Sequence, residues 1–216
     1  MTVPTDIGKS ITEAIRFVSR LGAECERLTE LIKEELSRAL LVPEIAKRYK
    51  AGGKWIDTRR TDESEWVYIE IGTSLPIISK PKRSTGSYLV VQISLTGEGI
   101  NAEGNQEPLL HIGRWGGPIN FEEIQMGFPL DLGHEYDLVL EGERLFRWVH
   151  TQYENEWCYS LRLTDINSPN DIQHHIINPT KALLVGNSAT EALSGTAAVR
   201  YSRVDDKDGQ YRALPR

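Results

Sequence analysis

The chain has 216 residues, of which 39% are hydrophobic and 26% are charged, and its formal net charge is −6. A chain of this length and composition is typical of a soluble globular protein that folds without disulfides or a structural metal. No run of about 18 consecutive apolar residues occurs, so the sequence predicts no membrane-spanning helix.

The cysteines and the N-terminal residues indicate a compartment. Cys25 and Cys158 are too few for a disulfide framework. Residues 1–10 lack the basic and apolar regions of a signal peptide. We therefore expect the protein in the reducing cytoplasm.

A long amphipathic helix is the first predicted element. Ser10 and Glu13 have the spacing of a capping box, which predicts the helix start, and Pro43 predicts its end. Apolar residues alternate at intervals of three and four over three heptads, which places them on one seam of the helix. The seam consists of Ile11, Ala14, Val18, Leu21, Cys25, Leu28 and Ile32.

An apolar seam must be buried against another apolar surface, and the sequence is consistent with two such surfaces. A second copy of the helix would give a coiled-coil homodimer, which is the favoured interpretation. The sheet of the same chain is the alternative, because further residues widen the stripe: Ile15, Leu31, Leu36 and Leu40. Glu35 occupies the next seam position, so the helix is expected to leave its partner after Ile32 and pack on the body of the protein.

A basic segment follows the helix. Between Glu44 and Arg60, six basic and two acidic residues give a net charge of +4. Cations neutralise phosphates and aromatic side chains stack on bases, so this segment and residues 80–83 are candidates for nucleic-acid binding. The candidate residues are Lys47, Arg48, Tyr49, Lys50, Lys54, Trp55, Arg59 and Arg60. A solvated connector is the competing interpretation, favoured by the acidic chain as a whole.

Alternation of apolar and polar residues dominates the rest of the chain. It predicts half-buried strands at 66–71, 88–95, 136–141, 145–150 and 156–163, the last three forming an antiparallel meander. Weaker patterns predict strands at 75–79, 109–114, 172–178, 182–186 and 197–204. Pro76 confines the first of these to a sheet edge or a bulge. A short helix is predicted at 188–193.

These elements predict an α+β fold, in which a long N-terminal amphipathic helix precedes a mainly antiparallel β-sandwich or open barrel of about nine strands. Residues 1–50 form the helical segment, 51–204 the antiparallel β-domain, and 205–216 a polar C-terminal tail.

An acidic stretch between Glu98 and Glu143 contains the candidate partner-binding residues Arg114 and Trp115. Ten acidic residues and one basic residue give this stretch a net charge of −9. A negative surface of this kind could dock a basic partner or imitate a phosphate backbone, but the favoured interpretation is that the acidic residues face solvent on the strands without a partner. Glycines and a proline surround Arg114 and Trp115, which predicts an exposed loop carrying two residue types that are frequent in binding hot spots. A tryptophan packed under its own loop is the alternative.

No catalytic motif and no metal-ligand spacing stands out, so we expect no cofactor and no metal. The sequence predicts a non-catalytic binding protein, such as an adaptor, scaffold or inhibitor, that pairs with itself and contacts another protein but no membrane. Nucleic-acid binding is the first alternative. An enzyme whose site is assembled from distant residues is the second.

Overall fold

The computed structural model describes residues 6–96, 107–122, 138–148, 156–204 and 211–215. The α-helices are α1 (Ile7–Ala39), α2 (Pro43–Ala46), α3 (Pro169–Asp171), α4 (Asn178–Val185) and α5 (Ala189–Ala192). A 3-10 turn, Leu163–Asp165, precedes α3, and a π-helical segment, Ile172–Ile177, joins α3 to α4.

Antiparallel strands form the rest of the described chain. They are β1 (Tyr49–Ala51), β2 (Ile56–Thr61), β3 (Tyr68–Ser79), β4 (Ser87–Ser94), β5 (Leu109–Trp115), β6 (Leu138–Glu141), β7 (Leu145–Trp148), β8 (Glu156–Arg162), β9 (Tyr201–Arg203) and β10 (Tyr211–Ala213). The main sheet has the order β1-β3-β4-β5-β8-β7-β6, with β2 also paired to β3, and β9 pairs with β10. The predicted α+β class is confirmed, although the described strands do not close into a barrel.

The meander predicted over 136–163 is confirmed for the described residues. β6, β7 and β8 are adjacent and antiparallel, as their short connections require. Residues 136–137 and 149–150, also predicted as strand, lie outside the described part of the chain.

Both faces of the central sheet are buried, whereas alternation predicted strands with one face on the core. All seven residues of β8 are buried, including Cys158 and Ser160. Helix α1 and the helices after residue 168 cover one face. Ile119, Phe121 and Tyr201 help to cover the other. The prediction of half-buried strands is therefore wrong here, because polar residues in a strand do not exclude a second covering layer.

Residues 75–79 are in a strand, as predicted, but they belong to the twelve-residue strand β3, which pairs with β4 in unbroken register through Pro76. The prediction of an edge strand or a bulge at Pro76 is therefore wrong. One side of β3 pairs with β2 as far as Ser74 and with β1 from Ile77. Pro76 falls in the interruption between these two partners and pairs with Tyr88 on its other side. A proline is tolerated at this position because no ladder hydrogen bond requires its missing N–H.

The segments 172–178 and 182–185 are helical and Gly186 is the C-cap of α4, so the prediction of strands at 172–178 and 182–186 is wrong. Ser168 begins this helical region by accepting a hydrogen bond at Oγ from the N–H of Asp171, at 3.2 Å, with a proline at the first helical position. Ile172, Ile176 and Ile177 have helical spacing and are buried against the sheet. Short apolar runs fit both the strand period of two residues and the helix period of 3.6 residues. The sequence therefore did not distinguish a helix from a strand in these segments.

Helix caps and the C-terminal segment require two further corrections. Asp6, rather than Ser10, caps α1: its Oδ1 accepts from the N–H of Lys9 at 3.2 Å. Residues 211–213 form β10 instead of part of a loose tail, because Tyr211 packs edge-on against Phe146 with ring centroids 4.8 Å apart. The predicted short helix is confirmed as α5, with Ser188 and Glu191 forming its capping box.

Candidate interaction surface

Helix α1 consists of two parts with different surroundings, which we call the projecting half, residues 7–20, and the anchored half, residues 21–39. Every residue of the projecting half is exposed. At about 1.5 Å per residue, this half extends roughly 20 Å beyond the body of the protein.

The anchored half is held in place by apolar packing and by ion pairs. Cys25, Ile32 and Leu36 are buried in the same cluster as the sheet residues. Lys33 Nζ lies 2.7 Å from Asp57 Oδ1 on β2. Burial opposes the charge of Lys33, but the hydrogen bonds that its ammonium donates to Asp57 and Glu30 raise its pKa above the usual value. These contacts fix the direction in which the projecting half leaves the body.

The projecting half carries an apolar stripe, formed by Ile7, Ile11, Ala14, Ile15 and Val18. At about 100° per residue, these side chains lie within roughly 60° of Val18 around the helix axis. Ile7 and Ile11 are 72% and 60% exposed, and Phe17 beside the stripe is 60% exposed. Neighbouring large apolar residues exposed in this way mark an interaction surface, whereas scattered ones do not.

Polar residues divide into two groups around the stripe. The charged ones, Lys9, Glu13, Arg16 and Arg20, project from the opposite side of the helix. Small uncharged residues border the stripe: Gly8, Ser10, Thr12 and Ser19. A partner that covers the stripe therefore does not have to desolvate a charged side chain.

The predicted seam is divided between two environments. Cys25 and Ile32 are buried against the sheet of the same chain, and Leu21 and Leu28 are half-buried beside them. Ile11, Ala14 and Val18 remain exposed. The helix thus joins the body near Leu21, earlier than the predicted departure after Ile32. Dimerisation through the remaining exposed part stays a prediction.

An apolar groove begins where the stripe ends. It has a volume of about 300 Å³ and lies between α1 and the segment 163–172. Leu21 and Leu28 line it from the helix, and Leu163, Ile166 and Ile172 line it from the body. The groove extends the apolar surface of the stripe onto the body of the protein.

Arg114 and Trp115 end strand β5 and are half-buried, so the exposed loop predicted for them is wrong. Arg114 Nε donates to Ser87 Oγ at 3.0 Å, and its guanidinium lies over the ring of Tyr49, 5.2 Å from the centroid. Trp115 packs edge-on against Trp148, with centroids 4.7 Å apart. A partner-binding role for the pair stays a prediction, but both side chains already contact their own chain.

Trp115→Ala is expected to lower the free energy of unfolding by about 1–3 kcal/mol, because it removes part of a buried aromatic cluster. A denaturant titration followed by tryptophan fluorescence and circular dichroism measures the change. An unchanged midpoint would show that Trp115 contributes nothing to packing and would favour a purely surface role.

The basic segment is partly occupied by internal contacts. Its three arginines all have partners in the chain: Arg48 donates to the carbonyl of Val185, Arg59 pairs with Glu26, and Arg60 pairs with Glu70. Trp55 is half-buried, and its Nε1 donates to Ser37 Oγ at 3.0 Å. Lys47, Lys50 and Lys54 are exposed. Nucleic-acid contact stays a prediction that depends mainly on these lysines and on Lys82 and Arg83.

A row of buried polar side chains crosses the sheet and was missed by sequence reasoning. Gln92, His111 and Ser160 stand directly opposite one another on β4, β5 and β8. His111 Nδ1 lies 2.9 Å from Ser160 Oγ, and Gln92 Nε2 donates to Glu70 Oε2 at 3.1 Å. Each stands between apolar neighbours in the sequence, a pattern that ordinarily indicates a solvent-facing position.

Burial determines the chemistry of this row. It lowers the pKa of His111 to about 4, so the imidazole is neutral at pH 7. Burial also raises the pKa of Cys158 well above its usual value. Ser160 is 0% exposed. The His111–Ser160 pair therefore lies in the core, where its polar contacts link adjacent strands.

Glu156, next to Arg114 in space, titrates unusually. Burial raises its pKa to about 7, against the opposing effects of a Gly116 backbone hydrogen bond and the charge of Arg114. The folded chain therefore holds this proton more tightly than the unfolded chain, in which glutamate titrates near its usual value of 4.5. The contribution of Glu156 to stability consequently decreases as the pH rises from about 4.5 to 7.

Glu156→Gln replaces the carboxylate with a neutral amide, so the variant is expected to gain stability relative to the wild-type chain as the pH rises from about 5 to 8. Urea titrations of both proteins at each pH measure the difference. A wild-type chain that gains on the variant with rising pH would contradict the assigned protonation.

Within the ranges that the structure describes, no group of three or more histidine, cysteine, aspartate or glutamate side chains could hold a metal ion. None of the described helices combines the length and apolar character needed to cross a membrane. Comparison with protein-family models, with curated proteins and with solved structures found no match.

Proposed function

We propose that the protein is a non-catalytic binding protein that acts as a homodimer, joined through the apolar stripe on the projecting half of α1. One observation carries this proposal: the stripe is exposed along its whole length in the single chain. Exposed apolar surface of this extent is covered in working proteins by a partner or a ligand surface.

The free energy gained by burying the stripe is comparable with the cost of association, which is the balance expected of a weak, reversible dimer. Complete burial of an isoleucine or valine side chain contributes about 1.5–3 kcal/mol. A symmetric pair covers eight such side chains that are now roughly half exposed, which contributes on the order of 10 kcal/mol. Association costs about 4–15 kcal/mol. We therefore expect a dimer that forms with rising concentration and dissociates on dilution.

A second copy fits the stripe better than a lipid surface does. Helices that lie in a membrane interface carry lysine and arginine next to the apolar face, where the long side chains reach the headgroups. Here the positions bordering the stripe are Gly8, Ser10, Thr12 and Ser19. The basic residues project from the far side of the helix, away from any surface that the stripe would enter.

The non-catalytic part of the proposal is supported by the burial of one histidine–serine pair and of one thiol that could otherwise take part in catalysis. The His111–Ser160 pair and Cys158 are enclosed in the core, so a substrate in solution does not reach them.

Nucleic-acid binding is the alternative function. It is less favoured because the arginines of the basic segment are engaged in internal contacts.

Sedimentation equilibrium over a concentration series from low to high micromolar tests the proposal. We expect the apparent mass to rise from that of one chain to that of two. A chain that remains monomeric at high micromolar concentration overturns the proposal, and sedimentation of this monomer with anionic vesicles would identify a lipid surface as the cover instead.

A further inference from the structure

The stripe and the body of the protein lie on the same side of α1. Counting about 100° per residue from Val18, Cys25 and Ile32 fall within roughly 40° of the direction in which Val18 points. Both are buried against the sheet, at 3% and 0% exposure. The body therefore occupies the space in front of the seam from about Leu21 onwards, and only the projecting half has free space there.

This arrangement distinguishes the two ways in which two helices can pair along the stripe. In a parallel pair, each helix runs in front of the other's seam along its full length, so both bodies would have to occupy the same space beyond Leu21. In an antiparallel pair, each helix runs away from the other body, and the two bodies lie at opposite ends of the contact. Only the antiparallel pair leaves room for both bodies without steric overlap.

We infer that two copies pair antiparallel through their projecting halves, centred between Ala14 and Ile15, an inference that rests on the proposed homodimer. The apolar surface that is not buried extends from Ile7 to the half-buried Leu21 at the edge of the body, and its midpoint lies close to this position. Ile7 of one copy then lies beside Leu21 of the second copy, and Ile11 lies beside the second copy's Val18.

Local chemistry supports this register. Alanine at the centre is the smallest residue of the stripe, which allows the two axes to approach at the crossing to about 8 Å, the short end of the usual range. Each Ile7 reaches the end of the groove that begins at Leu21 and continues to Leu28 and Ile166. The apolar surface of the helix and the groove thereby become one continuous buried surface in the dimer.

Distances between spin labels at two matched positions test the register. Arg16 and Ala23 are both exposed and both point away from the stripe, so Arg16→Cys and Ala23→Cys place labels outside the contact. In the antiparallel pair, the two copies of position 23 are offset along the helix axis by about 26 Å and those of position 16 by about 5 Å. In a parallel pair, both offsets are close to zero.

Pulsed electron paramagnetic resonance on the full-length dimer is expected to give a label distance about 10 Å longer at position 23 than at position 16. The native thiols provide a low background, because Cys25 and Cys158 are buried and burial raises the pKa of both. Wild-type protein treated with the same label measures this background, and circular dichroism confirms that both variants fold.

The outcomes separate the register from the dimer itself. Equal distances at the two positions in a protein with the mass of two chains would overturn the antiparallel register and leave the homodimer standing. A protein with the mass of one chain at high micromolar concentration would overturn both. A longer distance at position 16 than at position 23 would place the contact outside the projecting half.

Discussion

Ile11→Asp is expected to convert the dimer into a folded monomer. In the dimer, the new carboxylate would lie on an apolar surface and lose its hydration without gaining a partner, which costs several kcal/mol for each copy. The affinity is therefore expected to fall by at least about 100-fold. The fold itself is expected to remain, because Ile11 is 60% exposed in the single chain.

Arg16→Asp is the matched control for this experiment. Arg16 lies about one and a half turns after Ile11 on α1. Its substitution changes the charge by two units instead of one, but the side chain points away from the stripe. Sedimentation equilibrium of the three proteins should show a dimer for the wild type and for Arg16→Asp and a monomer for Ile11→Asp. Loss of the dimer in both variants would indicate a general effect of helix charge and would contradict a role of the stripe.

The second large effect compares two isoleucines on the same seam. Ile32 is 0% exposed and packs in the main core cluster, whereas Ile11 is exposed. Ile32→Ala is expected to lower the free energy of unfolding by about 2–5 kcal/mol, because it removes buried apolar surface and leaves a cavity. Ile11→Ala is expected to change the stability of the monomer by less than about 0.5 kcal/mol.

Urea titrations at a concentration low enough to dissociate the dimer compare these two variants with the wild-type chain. The comparison tests the division of α1 directly, because the residue type, the helix and the seam are the same. Similar losses of stability at both positions would show that the projecting half also packs on the body. The absence of a loss at Ile32 would contradict the anchoring of α1 to the sheet.

Most elements of the fold were predictable because their signals are local. The long helix, the antiparallel meander and the short helix after Asn187 follow from periodicity and turn residues within each segment. The segments 172–178 and 182–186 were mistaken for strands because their apolar runs are too short to distinguish a period of two from one of 3.6. Pro76 was taken to indicate a sheet edge or a bulge. A proline is accepted inside β3 because the pairings with β2 and β1 end on either side of it, which the local sequence does not reveal.

The candidate surface was predicted only in part. The sequence identified the seam but not the residue at which the helix meets the body, since every seam residue has the same local pattern. Arg114 and Trp115 were predicted to be exposed from the glycines around them, yet β5 pairs on both sides and brings Trp115 against Trp148. The buried row at Gln92, His111 and Ser160 carries no local signal of burial.

The sequence alone determined that this chain begins its fold with an amphipathic helix and continues as an antiparallel sheet, because hydrophobic spacing and chain turns act over a few residues. Only the tertiary structure decided which half of the helix the sheet covers, which polar residues enter the core and which apolar ones remain outside. Burial depends on which distant elements pack together, and the spacing within one segment does not contain that information.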